Sequence, residues 1–115
     1  MKRDLATLTQ ILERIERIES SGVDRERFVG SDWDQDAVLR NLEIIGEAVK
    51  RLSDELRSRP SKARWKELAG FRDIAIHAYD TVNLERAWLV VERDLPVLKV
   101  EVRRLLRSME KRTPG

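Results

Sequence analysis

The chain has 115 residues, of which 38% are charged, and its 23 basic and 21 acidic residues leave a net charge of +2. This length suits one domain that buries its core without disulfides or metal, and the absence of cysteine excludes disulfides, thiol catalysis and thiolate metal sites. No apolar run approaches the roughly 18 residues that span a bilayer, and the N-terminus does not resemble a signal peptide, so we expect a cytoplasmic protein without membrane contact.

The first two helices are predicted from apolar spacing and from local end signals. Apolar residues recur at intervals of three and four from Leu5 to Ile18, which predicts an amphipathic helix. Gly22 suits the left-handed conformation that follows a helix. Asp24 can cap a short helix that ends near Gly30.

The second long segment, residues 34–59, has a regular apolar pattern that predicts one continuous helix with a bundle seam. Asn41 lies among the apolar positions, and we favour a buried amide with local partners over an amide directed at a site. Glu43 and Glu47 lie away from the seam, where we expect solvated carboxylates or interhelical ion pairs. The seam consists of Val38, Leu42, Ile45, Val49, Leu52 and Leu56.

The remaining chain predicts two further helices. The third is expected to begin at Ser61 or Lys62, after Pro60, and to continue to Tyr79. Residues 80–83 are predicted as a loop, with Asn83 as the N-cap of a last helix that continues to Met109. Pro96 lies inside that helix, so we predict a kink there and one lost backbone hydrogen bond.

These elements predict an all-α fold, an up-and-down four-helix bundle with one short extra helix near residues 24–30. Residues 1–110 are expected to form a single domain, and residues 111–115 a frayed tail. The nearly neutral charge does not by itself favour nucleic acid, so RNA contact requires a local patch. Residues 57–66 offer such a patch, although a solvated loop explains it equally well. The patch contains Arg57, Arg59, Lys62, Arg64 and Lys66.

The stretch from Gly70 to Asp80 contains the only histidine and the only tyrosine of the chain. On a helix, Arg72 and His77 lie about 140° apart around the axis and about 7.5 Å apart along it. They border one surface but cannot contact the same atom unless the helix frays or a second copy faces them. Asp73 and His77 are one helical turn apart, so the carboxylate can fix the tautomer of the imidazole.

An imidazole that transfers a proton and a guanidinium that holds a phosphate suit phosphodiester chemistry without metal. A single histidine is a poor zinc site, and the sequence has neither a phosphate-binding glycine loop nor a nucleophile elbow. We therefore predict no metal and no cofactor. Spacing alone nevertheless favours a structural role, in which His77 hydrogen-bonds near the helix end and Tyr79 packs against the next helix.

Longer motifs resemble the HepT family of HEPN-domain toxins. One is Arg72-x4-His77-x-Tyr79, preceded by Gly70-Phe71 and followed by Val82-Asn83-Leu84-Glu85 and Asp94-Leu95-Pro96. The other comprises Gln35-Asp36-Ala37-Val38 and Asn41-Leu42-Glu43-Ile44-Ile45-Gly46-Glu47-Ala48, which is similar to the second helix of that family. The resemblance covers the chain from about Asp4 to Leu106.

The resemblance implies a HEPN-like homodimer in which two Arg-x4-His motifs meet across a cleft, and a metal-independent endoribonuclease. Arg72 and His77 would be the catalytic pair, and cleavage of RNA, with tRNA as one candidate, would leave a 2′,3′-cyclic phosphate and a 5′-hydroxyl. Asp73 stands where the family has a polar residue, often Asn; it would support His77 but repel a phosphate.

The resemblance also implies regulation within a type VII-like toxin–antitoxin module. A minimal nucleotidyltransferase antitoxin would transfer AMP to Tyr79, and the added bulk and negative charge would exclude RNA. Two alternatives stay open. One is a non-catalytic helical dimer that binds the nucleotidyltransferase, and the other is a structural dimer, which a buried His77 would favour.

Overall fold

The computed structural model describes residues 2–76 and 81–112, and every regular element within these ranges is helical. The prediction of an all-α helical bundle is confirmed. A π-helical segment, Val90–Asp94, joins the last two helices. The helices are α1 (Lys2–Ser20), α2 (Arg25–Gly30), α3 (Asp32–Lys50), α4 (Asp54–Arg57), α5 (Trp65–Ala69), α6 (Phe71–Ile76), α7 (Thr81–Leu89) and α8 (Leu95–Arg112).

Helix α3 organises the core, because it packs against α1, α2, α5 and α6, while α1 also packs against α8. The apolar stripes predicted for α1 and α3 supply its centre, where Leu8, Ile11, Ile15, Leu42, Ile45 and Val49 are completely buried. Helix α2 is joined to α7 by Phe28, whose ring stacks on Trp88 with centroids 5.6 Å apart. None of the helices in the described ranges is long and apolar enough to cross a membrane.

The local end signals after α1 are confirmed. Gly22 has a φ of 68°, the left-handed conformation that glycine adopts without strain. The side chain of Asp24 accepts a hydrogen bond of 2.9 Å from the backbone N–H of Arg27, and it therefore caps α2.

The prediction of one continuous helix over residues 34–59 is wrong. Helix α3 ends at Lys50, and Ser53 caps the separate short helix α4 through a 3.2 Å hydrogen bond from the Leu56 N–H. The buried carboxylate of Asp4 accepts hydrogen bonds from the N–H and the hydroxyl of Ser53, at 2.9 and 2.6 Å. The break is thus stabilised from α1, by a residue that is distant in sequence.

The prediction of one helix from Ser61 or Lys62 to Tyr79 is also wrong for the described part. Helix α5 ends at Ala69, and α6 begins at Phe71. Gly70 separates them: its N–H donates to the Glu67 carbonyl at 3.0 Å, and its own carbonyl accepts from the N–H of Asp73 at 3.0 Å. Glycine is a poor helix former, so the two short helices can meet at an angle there.

The start of the last helical segment differs from the prediction as well. Residues 81–83 are helical, so the expected loop is wrong for these residues, and Asn83 lies inside the first turn of α7 instead of capping it. Ahead of Pro96, the backbone N–H of Leu95 donates to the Val90 carbonyl, five residues earlier. Proline lacks an N–H and its ring crowds the preceding turn, so widened π turns accommodate it. The expected tail falls largely outside the described residues and, like the domain bounds, stays a prediction.

Candidate functional site

Arg72 is the second residue of α6, and its backbone lies directly against α3 at Gly46. A Cβ atom on Gly46 would be 2.8 Å from the backbone nitrogen of Arg72 and 3.3 Å from the Cβ of Phe71. Any residue larger than glycine would therefore push α6 away from α3, because the nearest atom belongs to the backbone. Gly46 thus sets the position from which the Arg72 side chain extends.

The side chain of Arg72 is oriented by the residue that follows Gly46. Its Nε lies 2.9 Å from Oε1 of Glu47, and the two side chains are 45% and 42% exposed. An ion pair this exposed contributes roughly 0–1 kcal/mol to stability, so its main effect is on orientation. A guanidinium has five N–H donors and one carboxylate engages at most two of them, so Arg72 keeps donors for a phosphate.

Asp73 is exposed and lines a groove of about 1020 Å³ between the segment 62–74 and the segment 83–98. Arg72, its neighbour in the chain, does not line this groove. The groove has basic side chains on both walls and three carboxylates. The basic residues are Lys62, Arg64, Lys66, Arg86 and Arg93, and the carboxylates belong to Glu67, Asp73 and Asp94.

The basic patch predicted over residues 57–66 is divided in two by the structure. Arg57 and Arg59 form ion pairs with Asp54 and Glu55 of α4, at 2.7 and 3.4 Å. Their charges are therefore balanced within the protein. The second half of the patch, Lys62, Arg64 and Lys66, is exposed and lines the groove.

The segment that contains Lys62, Arg64 and Lys66 is hydrogen-bonded to α8 through Glu101. Glu101 is only 6% exposed, and its carboxylate is hydrogen-bonded to Arg104 and Ser61. The Arg104 hydrogen bond is the largest cause that lowers the pKa of Glu101 below its ordinary 4.5; burial opposes it, and the Ser61 hydrogen bond and the charges of Arg104 and Lys62 add to it. A negative charge on Glu101 therefore stabilises this connection.

Two residues of the predicted site, His77 and Tyr79, lie outside the described residues. The relations of His77 to Arg72 and Asp73, and the exposure of Tyr79, stay predictions. In the described part of the motif segment, Leu68, Phe71 and Ala75 are buried in the core, and Ile74 is half-buried against it. Among the described residues, no group of three His, Asp or Glu side chains is arranged to hold a metal ion.

Asn41 has the local partner that the sequence predicts, but it is half-buried, so the expected full burial of the amide is wrong. Its Nδ2 donates to the Ala37 carbonyl at 2.8 Å, and its Oδ1 accepts a 3.4 Å hydrogen bond from Arg14 of α1. The expectation for Glu47, an interhelical ion pair, is likewise confirmed. Glu43 pairs within α3, with Arg40 at 3.2 Å.

Four residues that bear on function were not singled out as site residues by sequence reasoning: Gly46, Glu47, Arg86 and Arg93. Gly46 carried a usable signal, since an isolated glycine is unfavourable inside a helical pattern and indicates a packing reason for its presence. The pairing of Glu47 with Arg72, and the meeting of Arg86 and Arg93 with the segment 62–66, depend on tertiary packing and left no local signal.

Comparison with known proteins gives one family. Residues 11–105 match the family model described as Ribonuclease HepT-like. A protein of Caldanaerobacter subterraneus subsp. tengcongensis, named as a putative RNase, is 40% identical in an alignment of 112 residues that covers 94% of this chain and 98% of that relative. Probable ribonuclease HepT of Thermococcus cleftensis is 38% identical over 100 residues, 85% of this chain and 91% of that relative.

A longer relative from Methanocaldococcus jannaschii is named as a gamma-glutamylcyclotransferase and putative RNase. It is 42% identical in an alignment of 114 residues that covers 96% of this chain but 51% of the relative, so the chain spans about half of that protein. No solved structure matches the chain. The family match spans most of the helical bundle, including α3 and the Arg72 segment, and the chain therefore belongs to the HepT-like ribonuclease family.

Proposed function

We propose that this chain is a metal-independent endoribonuclease in which Arg72 and His77 act on the RNA backbone. The observation that carries the proposal is the setting of Arg72: Gly46 fixes its backbone, Glu47 orients its guanidinium, and its side chain stays half exposed. A guanidinium held in advance can bind a phosphate through two donors and stabilise the extra negative charge of the transition state.

The proposed reaction is an internal transfer within the RNA. The imidazole of His77 removes the proton from a ribose 2′-hydroxyl, whose oxygen attacks the adjacent phosphorus. The bond from phosphorus to the 5′-oxygen breaks, and an imidazolium delivers a proton to that oxygen. The products are a 2′,3′-cyclic phosphate and a 5′-hydroxyl, and no water is consumed.

The proposed active unit is a symmetric homodimer. If α6 continued as a helix to His77, the spacing of five residues would separate Arg72 from His77 by about 7.5 Å along the axis, and one copy alone would not bring both groups to one phosphate. Two facing copies would place the arginine of each near the histidine of the other. A strict monomer in sedimentation at micromolar concentration would contradict this arrangement.

We further propose that the chain is the toxin of a type VII-like toxin–antitoxin module in the cytoplasm. The Tyr79 hydroxyl would attack the α-phosphorus of ATP on a minimal nucleotidyltransferase antitoxin and release pyrophosphate. The AMP that remains on Tyr79 adds bulk and negative charge seven residues from Arg72. RNA would then be excluded by steric overlap and by charge repulsion.

A second candidate function is a non-catalytic dimer that binds the nucleotidyltransferase. It is favoured by the acidic surroundings of Arg72, which has Glu47 as its ion-pair partner and exposed Asp73 as its neighbour in the chain. A carboxylate paired with a guanidinium reduces its attraction for a phosphate.

Analysis of product ends separates the two functions. Purified protein is incubated with single-stranded RNA in the presence of a chelator, and the fragments are examined by mass spectrometry. The ribonuclease yields fragments with 2′,3′-cyclic phosphate ends at the same rate with and without chelator. Intact RNA, or cleavage that the chelator abolishes, contradicts the proposed ribonuclease.

A further inference from the structure

The groove between the segment 62–74 and the segment 83–98 has no part in the chemistry described above. It has a volume of about 1020 Å³ and is lined by five basic and three acidic residues. The basic residues come from two walls, Lys62, Arg64 and Lys66 on one and Arg86 and Arg93 on the other. The groove therefore has an excess of positive charge that is built from separate elements.

The basic residues of the groove differ from the nearby arginines of α4 and its flank in whether they form ion pairs. Arg64, Lys66, Arg86 and Arg93 are exposed, and none of them is in an ion pair with another described residue. By contrast, the arginines of α4 and its C-terminal flank are balanced by carboxylates one helical turn away. Cations on facing walls that have no ion-pair partner among the described residues are suited to a chain of phosphates.

The groove also exposes apolar surface between its charges. Leu89 and Val97 line it and are 43% and 45% exposed, although large hydrophobic side chains are usually buried. The π-helical segment between them contributes Val90, Arg93 and Asp94 to the same wall. Single-stranded nucleic acid can use this combination, because its phosphates bind cations and the faces of its bases can contact apolar surface.

We propose that this groove binds single-stranded RNA. Phe71, Asp73 and Ile74 line the groove and Arg72 does not, so the groove and the Arg72 side chain lie on different faces of the same short helix, α6. RNA that extends from Arg72 around α6 would pass between the two basic walls, with Arg86 and Arg93 bound to its phosphates. The inference rests on the proposed ribonuclease function, for which it names the substrate as unpaired RNA.

The test measures binding without cleavage. The probe is a single-stranded 2′-O-methyl RNA, whose blocked 2′-oxygen cannot attack phosphorus, and its affinity is measured by fluorescence anisotropy at several salt concentrations. The variant is Arg86→Ala/Arg93→Ala. The control is Arg103→Ala/Arg107→Ala, which removes the same charge from exposed positions of α8 that do not line the groove. Thermal melting confirms that both variants fold.

For single strands, the slope of log affinity against log salt falls by about 0.7 for each lost phosphate contact, so the groove variant should lose about 1.4 and the control none. Equal losses in both variants, no loss in the groove variant, or no binding by the wild type would overturn the proposal. Unchanged RNA affinity combined with lost binding of a nucleotidyltransferase would instead assign the groove to a protein partner. Because the probe cannot be cleaved, failure of the catalytic roles of Arg72 and His77 leaves this readout intact.

Discussion

The Nε of Arg72 lies 2.9 Å from Oε1 of Glu47, so a residue of α3 holds the guanidinium of α6 at the surface of the bundle. Gly46, immediately before Glu47, lets the backbone of Arg72 approach α3 closely. Two consecutive residues of one helix therefore determine where the proposed phosphate-binding group starts and in which direction it extends.

Replacement Glu47→Gln tests the second of these roles. Without the carboxylate charge the guanidinium is less well fixed, and loss of orientation commonly costs about 10- to 100-fold in rate. We expect RNA cleavage to fall by that order, with little change in melting temperature because the pair is exposed. In an Arg72→Ala background the same replacement should have no further effect.

The matched control for Glu47 is Glu43→Gln. Glu43 lies one turn earlier on α3 and pairs with Arg40 at 3.2 Å, so its loss should leave cleavage unchanged. Cleavage by Glu47→Gln at the wild-type rate, or faster, would contradict the positioning role.

Replacement Gly46→Ala tests the close approach of the two helices. The added methyl group would stand 2.8 Å from the backbone nitrogen of Arg72, and forced overlap of this kind costs about 1–3 kcal/mol. We expect a lower free energy of unfolding in urea, together with reduced cleavage because Arg72 is displaced. At Gly30, where nothing lies within 4 Å of an added Cβ, the same change should cost less than about 0.5 kcal/mol. Equal stability of the two variants would refute the packing argument.

Replacement Glu101→Gln gives a pH-dependent loss of stability. The pKa of Glu101 is lowered in the folded protein, chiefly by its hydrogen bond with Arg104, so its stabilisation is present above the ordinary pKa of 4.5 and is lost as pH falls through the folded value. At pH 7 we expect the free energy of unfolding to fall by about 1–2 kcal/mol. This is the usual contribution of a hydrogen bond to a charged group, reduced because Arg104 is exposed. The difference from wild type should shrink below pH 4.5. A difference that is constant from pH 7 to pH 3 would show that the charge has no role.

The parts of the fold that sequence predicts are those whose signals are local. Helix α1, its end at Gly22 and the cap at Asp24 follow from residues close together in the chain. The break after Lys50 does not, because Ser53 is held by Asp4, 49 residues away. Apolar spacing continues through that break, with Leu52 and Leu56 both buried, so periodicity alone cannot reveal it.

The same distinction between local signals and contacts across the fold applies to the candidate site. The motif predicts Arg72 as a site residue, but it gives no information about the residues that surround Arg72. Its partner Glu47 and the groove wall of Arg86 and Arg93 are brought there by packing between helices. Local patterns describe one helix face at a time, whereas these contacts join separate elements.

Replacement Tyr79→Phe separates a modified tyrosine from a structural one. The variant lacks the hydroxyl that would accept AMP, so it should fold and cleave nearly as the wild type does but escape neutralisation. Intact mass is measured after incubation with the nucleotidyltransferase and ATP. The wild type should gain one or more AMP units and the variant none. Equal labelling would place the modification elsewhere, and a loss of about 0.5–1.5 kcal/mol in stability without any labelling would indicate a buried structural hydroxyl.

The central claim is that Arg72 and His77 together cleave RNA without metal, and the rate of RNA cleavage in the presence of a chelator tests it most directly. General acid–base catalysis contributes about 100- to 10,000-fold, so His77→Ala should lose activity by that order, and Arg72→Ala should be similarly impaired. Chelator should leave the wild-type rate unchanged. Cleavage by folded, purified His77→Ala protein at the wild-type rate would contradict the account.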